Sequence, residues 1–113
     1  MENLKIKKDD DSVVVALGGE LTLELVEMIK GEVESIMQEG WKVLAFDLSD
    51  IKFMDSSGIG FLVATNNKVK QSGRGFYLYM PSPQVIKTLK LVNLFSFFEI
   101  LRDEDDLVAV TPV

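Results

Sequence analysis

A chain of 113 residues with 47% apolar and 27% charged side chains has the make-up of a soluble globular protein, and its length suits one domain, residues 1–113, rather than two. It holds no cysteine and no histidine. That excludes a disulfide framework, a thiolate nucleophile, a sulfur-ligated zinc site, a Ser-His-Asp triad and imidazole acid–base chemistry. The formal net charge of −6 disfavours nucleic acid as a direct partner.

No apolar run exceeds five or six residues, as in Val13–Leu17 and Ile59–Ala64, so no membrane-inserted helix is expected. Met1-Glu2-Asn3-Leu4-Lys5 lacks the apolar core of a signal peptide, which makes the cytoplasm the expected compartment.

In chain order, Leu4–Lys8 alternates apolar and basic residues and reads as an edge strand. Asp9-Asp10-Asp11-Ser12 reads as a turn. Val13–Leu17 is a buried strand by its β-branched run, expected to end at Gly18-Gly19. From Thr22 to Gln38 the pattern is helical: Leu25, Ile29, Val33, Ile36 and Met37 form one stripe, Thr22 suits the N-cap, and Gly40 is the expected stop. Lys42–Leu48 is nearly all apolar, the signature of a strand covered on both faces. Ser49–Met54 is expected to be a loop.

A second helix is expected from Ser56 or Ser57 to about Ser72, followed by a turn bracketed by Gly73 and Gly75 and a strand over Phe76–Met80. Ser82-Pro83 is a helix start, with Val85, Ile86, Leu89 and Val92 as the apolar face and Asn93 closing the helix in a left-handed conformation. Phe98–Leu101 reads as a short strand, and a last helix runs from its cap Asp103 to about Val110. The order β-β-α-β-α-β-α-β-α predicts an α/β protein with a mixed sheet of four to five strands and about four helices.

Charge is unevenly spread. Residues 1–55 hold thirteen acids and six bases, and residues 99–113 five acids and one base. Residues 56–98 hold no acid and five bases: Lys68, Lys70, Arg74, Lys87 and Lys90. Either the middle segment offers a basic face to an acidic partner, or folding interleaves these bases with acids from elsewhere.

The chemistry concentrates in Phe53-Met54-Asp55-Ser56-Ser57-Gly58-Ile59-Gly60-Phe61-Leu62, which joins a buried strand to a helix. Ligands of α/β folds gather beyond the carboxyl ends of strands, and a helix start offers free N–H groups and positive partial charge to an anion. A hydroxyl there can carry a phosphate. Gly58 and Gly60 either admit a partner's backbone or allow tight packing on the sheet. Phe61 lies roughly 140° from the stripe formed by Ile59, Leu62, Val63 and Val69, which makes it a candidate interface anchor unless another element covers it. Hydrolase-elbow, dinucleotide and Walker sequences are absent. Asp47, Asp50 and Asp55 fall in different elements, so no metal site is assigned, and no cofactor is expected.

These residues resemble the bacterial anti-sigma-factor antagonists, single-domain members of the STAS class. The resemblance spans nearly the whole chain: Gly19-Glu20-Leu21, Asp47-Leu48-Ser49, Phe53 through Gly60, Ser82-Pro83 and Leu94-Phe95. It implies the STAS fold and a non-enzymatic, monomeric anti-anti-sigma factor. The unphosphorylated protein would bind an anti-sigma factor that is also a serine kinase, which would phosphorylate Ser56 and so release it; a serine phosphatase would restore binding. Asp55, Ser57, Gly58, Gly60 and Phe61 would line the partner face. The family commonly has aspartate where this chain has Thr22, which bears on partner identity. An alternative role is a STAS subunit of another assembly, such as a lipid-transport ATPase complex or a stress-sensing complex.

Overall fold

In the computed structural model, which describes residues 3–112, five strands form one sheet in sequence order, β1-β2-β3-β4-β5. Residues 1, 2 and 113 of the expected domain, including the start of the Met1–Lys5 segment, lie outside the described residues. The strands are β1 Leu4–Lys8, β2 Ser12–Leu21, β3 Val43–Met54, β4 Gly75–Tyr79 and β5 Ile100–Leu101. β1 pairs antiparallel with β2; the other three pairings are parallel. Helices α1 Leu23–Met37, α2 Ser56–Gln71, α3 Pro83–Leu91 and α4 Glu104–Val110 complete the order, with one 3-10 turn at Phe95–Phe97.

Alternation along the strands sorts the core into two layers. Val13, Val15 and Leu17 of β2, Leu44, Phe46 and Leu48 of β3, and Phe76 and Leu78 of β4 face α1, α2 and α3. The stripe on α1 is buried as its spacing requires: Leu25, Ile29, Val33, Ile36 and Met37. Ala45, Tyr79 and Leu101 face the other way, with Leu107 and Val110 of α4 packed on them.

Three expectations need correction. Gly18-Gly19 does not end β2, Ser49–Met54 is not a loop, and the last strand is only two residues long. Both β2 and β3 continue as a parallel pair, Gly18 opposite Asp50 through Leu21 opposite Met54. The register slips twice, with one extra β3 residue each time, between Ala16 and Gly18 and between Gly19 and Glu20. Each slip is a bulge, and each destroys the two-residue alternation by which a strand is recognised. Gly19 takes φ +84°, which the bulged backbone requires and a side chain would strain.

Local signals explain most helix ends. Ser82 accepts from the Val85 N–H and donates to the Ile51 carbonyl, tying α3 to the extended part of β3. Asp103 accepts from the Asp106 N–H at the start of α4. Asn93 has φ +59° after α3. Of the apolar face expected on α3, Val85 and Leu89 are buried, Ile86 is half-buried and Val92 is exposed. Thr22 is the N-cap of α1 by backbone shape, with no side-chain bond, and the helix closes at Gln38, two residues ahead of Gly40.

Three of the five bases in the acid-free segment make side-chain contacts in the fold. Arg74 stacks over the Trp41 ring at 4.1 Å and donates to the carbonyls of Met37 and Glu39, fastening the end of α1. Lys70 pairs with Glu99 at 3.1 Å. Among the described residues, the interleaving with acids that the sequence left open holds for Lys70, while Arg74 is held by a ring and carbonyls instead; Lys90 lies over the Phe95 ring at 5.1 Å, and Lys68 and Lys87 are exposed.

Candidate functional site

The site forms where β2 and β3 end and α2 begins. Asp55 is the N-cap, extended at φ −102°; its carboxylate accepts from the Gly58 N–H at 3.1 Å and its carbonyl from the Ile59 N–H at 3.0 Å. Its own N–H donates to the Leu21 carbonyl at 3.4 Å, linking the helix start to the end of β2. Ser56 is the first helical residue and is exposed; Ser57 is half-buried. Helix geometry leaves their N–H groups without intrahelical acceptors, so positive partial charge lies where a Ser56 phosphate would sit.

The two glycines divide between the alternatives left open by the sequence. Gly58 is buried, and a Cβ there would run into the Leu21 carbonyl and stand 2.9 Å from both Leu21 Cγ and Met54 Cγ. Its role is tight packing, and the expectation that it faces a partner is corrected. Gly60 is exposed, with nothing within 4 Å of the same construction, so backbone from another molecule can approach it.

Phe61 also moves from its expected place. It is half-buried, stacks on Phe46 with centroids 6.0 Å apart and lines the groove between α1 and α2 with Val26 and Val33. The residues that α2 buries are Gly58, Leu62, Thr65, Asn66 and Val69. Three of these carry no hydrophobic signal, so the true stripe centre lies about 50° nearer Phe61 than the apolar residues alone indicate. Thr65 is tolerated there because its hydroxyl donates to the Phe61 carbonyl. Phe61→Ala should therefore destabilise the fold by about 2 kcal/mol, between a lost aromatic pair and a fully buried Phe. Urea unfolding checks this, and an unchanged midpoint would return Phe61 to the surface.

Two exposed apolar side chains, one at the start of the motif and one close to it, were not expected on the partner face. Phe53, two residues before Asp55, is 52% exposed, and Leu23, just past the end of β2, is 56% exposed. Leu23 lies off the α1 stripe, the same signal that singled out Phe61. Acids lie close to them in the ladder and along the chain: Glu20 is in register with Phe53, Glu24 follows Leu23, Asp50 and Asp55 flank Phe53, and all but the half-buried Asp55 are exposed. Asp47 is turned to local use, accepting from the Ser49 N–H and hydroxyl. Among the described residues no group of three acids gathers as a metal site.

The STAS domain family matches residues 3–107 of the chain. The protein belongs to the STAS domain family. Over 92 residues this STAS domain is 26% identical to an anti-sigma-B factor antagonist of Staphylococcus epidermidis, covering 81% of this chain and 85% of that protein. Among solved structures, it is similar to the anti-sigma factor antagonist SpoIIAA in its unphosphorylated form, with TM-score 0.78, 25% identity and 95% of each chain covered. It is also similar to a Thermotoga maritima protein, with TM-score 0.84 and 26% identity over 96% of this chain and 93% of that one. The mixed five-stranded sheet and four helices are the STAS fold of SpoIIAA. Among the described residues, no helix is long and apolar enough to cross a membrane.

Proposed function

We propose that this STAS domain is an anti-sigma factor antagonist that works by partner switching. Unphosphorylated, it binds an anti-sigma factor that is also a serine kinase; phosphorylation of Ser56 ends the complex, and a serine phosphatase restores the binding form. It is a ligand and a substrate rather than an enzyme, and it acts in the cytoplasm. The observation that carries this reading is the exposed Ser56 hydroxyl on the first residue of α2, directly behind the capping Asp55. The likeness to antagonists, one of them described in an unphosphorylated form, supports it.

The surroundings of Ser56 explain how one phosphate can act as a switch. Leu23 and Phe53 are the large exposed apolar groups flanking the helix start, and aromatics of this kind dominate binding hot spots. Ser57, Gly60 and the outer edge of Phe61 extend the docking face along α2. A phosphate adds about −1.5 to −2 charges and needs hydration. It would join an acidic stretch of surface that holds Glu20, Glu24, Asp50 and Asp55, with Lys52 the nearest base along the chain. A docked partner that seals Leu23 and Phe53 from water would bury that charge, and the complex opens instead. The free N–H groups at the start of α2 keep the modified protein itself folded.

The site of modification is testable. After incubation with the cognate kinase and ATP, mass spectrometry should place the phosphate on Ser56, the exposed serine. Phosphate found mainly on Ser57 would refute the assignment.

A further inference from the structure

The sheet has two faces, and only one is fully covered. α1, α2 and α3 lie on the face that carries the main core. The other face has α4 alone, a seven-residue helix with no buried residue of its own. Between α4 and the β1 edge runs an open groove of about 240 Å³, floored by Val14 of β2 and walled by Leu107 and Val108. Val14 and Ala16 remain half-buried in the middle of a sheet, and Val108 is 66% exposed.

The rims of this groove differ in charge: Lys7 and, beyond it, Lys5 mark the β1 side, where Asp9 also lines the groove, and Glu104 marks the α4 side. On β1, Lys5 and Lys7 pair in register with Ala16 and Val14, so they stand on this uncovered face, whereas Lys8 is drawn to Glu39 on the other. On the far side, α4 opens with Glu104, Asp105 and Asp106. The negative field there is strong enough that the Tyr79 phenol, already raised by burial, is raised further by Glu104, Asp47 and Asp103. Among the described residues neither Lys7 nor Glu104 takes part in an ion pair.

We propose that this uncovered sheet face is the interface of a two-fold homodimer, in place of the monomer that the family resemblance implies. A two-fold axis over Val14 and Ala16 carries the lysine rim of each copy onto the acidic rim of the other and lays the Val108 of each into its partner's groove. One face with a basic and an acidic flank on either side of an apolar centre is self-complementary under that operation and under no simple translation. Because every Lys7–Glu104 pairing occurs twice, a single charge reversal breaks two contacts. Ser56 lies on the helix-covered side of the sheet, so a dimer presents two Ser56 faces, and a partner that is itself dimeric would gain avidity.

Sedimentation velocity over a concentration series, in low and high salt, tests the proposal. The wild-type protein should form a salt-sensitive dimer. Lys7→Glu and Glu104→Lys should each weaken it about tenfold or more, and the double variant Lys7→Glu/Glu104→Lys should restore it. Val108→Asp, at an exposed position, should abolish it without lowering the melting temperature; it also serves as the test if a charge reversal fails to fold. A wild-type protein that stays monomeric at millimolar concentration would overturn the proposal. So would a dimer indifferent to these substitutions or not restored by the charge swap. None of these outcomes depends on a partner or on Ser56, so the dimer and the switch stand or fall separately.

Discussion

Gly58→Ala should be the most destabilising single-methyl change in the protein, costing about 3 kcal/mol or more. The added carbon meets the Leu21 carbonyl, Leu21 Cγ and Met54 Cγ together. The backbone oxygen cannot rotate away, because Leu21 is paired opposite Met54 at the end of the parallel β2–β3 ladder. Moving α2 outward would relieve the clash, but it breaks the Asp55 N–H bond to Leu21 and loosens Leu62 and Val69 from the sheet. Overpacking of this kind ordinarily costs about 1–3 kcal/mol. Contact with rigid backbone and no direction of escape puts this case at the upper end. A melting temperature lowered by more than about 10 °C is expected in calorimetry. Gly60→Ala should not lower it and should raise it slightly, because nothing lies within 4 Å of that position and alanine is the better helix former. Equal effects at the two glycines would contradict the packing described.

The second large effect concerns binding rather than folding. Ser56→Asp places a fixed charge on the first residue of α2, where the helix field stabilises it by up to about 1 kcal/mol. The fold should therefore be unharmed or slightly firmer. In the proposed complex the same charge would be sealed from water beside Leu23 and Phe53, and an unpaired charge in a docked interface costs several kcal/mol. Affinity should fall by about a hundredfold or more by calorimetry. Ser56→Ala should bind like the wild type and resist release by kinase and ATP. Equal affinity of Ser56→Asp and wild type would make a phosphorylation-off switch untenable.

Much of this architecture was legible because local signals and tertiary packing agree. The stripe from Leu25 to Met37, the Ser82-Pro83 start and the Asp103 cap each specify their element by short-range chemistry. The far half of β3 was not legible. Two bulges place Ser49-Asp50 and Lys52-Phe53 outside any alternation, and only the neighbouring β2 makes that stretch a strand. At the site, the capping role of Asp55 could be read from residue type. The inward Gly58 and the half-buried Phe61 could not, because α2 turns glycine, Thr65 and Asn66 toward the sheet and a count of apolar residues misplaces its axis. Leu23 was legible by the same rule as Phe61, since it lies off the α1 stripe; Phe53 was not, because it belongs to a bulged strand with no helical stripe and no alternation. The bases divide by geometry that no sequence shows: Arg74, Lys70 and Lys90 meet Trp41, Glu99 and Phe95, leaving Lys68 and Lys87 on the surface.

The switch is tested most directly with the modified protein itself. Wild-type chain phosphorylated to completion by its kinase, and the same chain after phosphatase treatment, would be titrated calorimetrically into the anti-sigma factor, with a Ser57→Ala protein treated identically. Tight binding by the unphosphorylated form and loss of binding by the phosphorylated form, both unchanged in Ser57→Ala, is the predicted result. Equal affinity of the two forms, or a loss that disappears in Ser57→Ala, would contradict it.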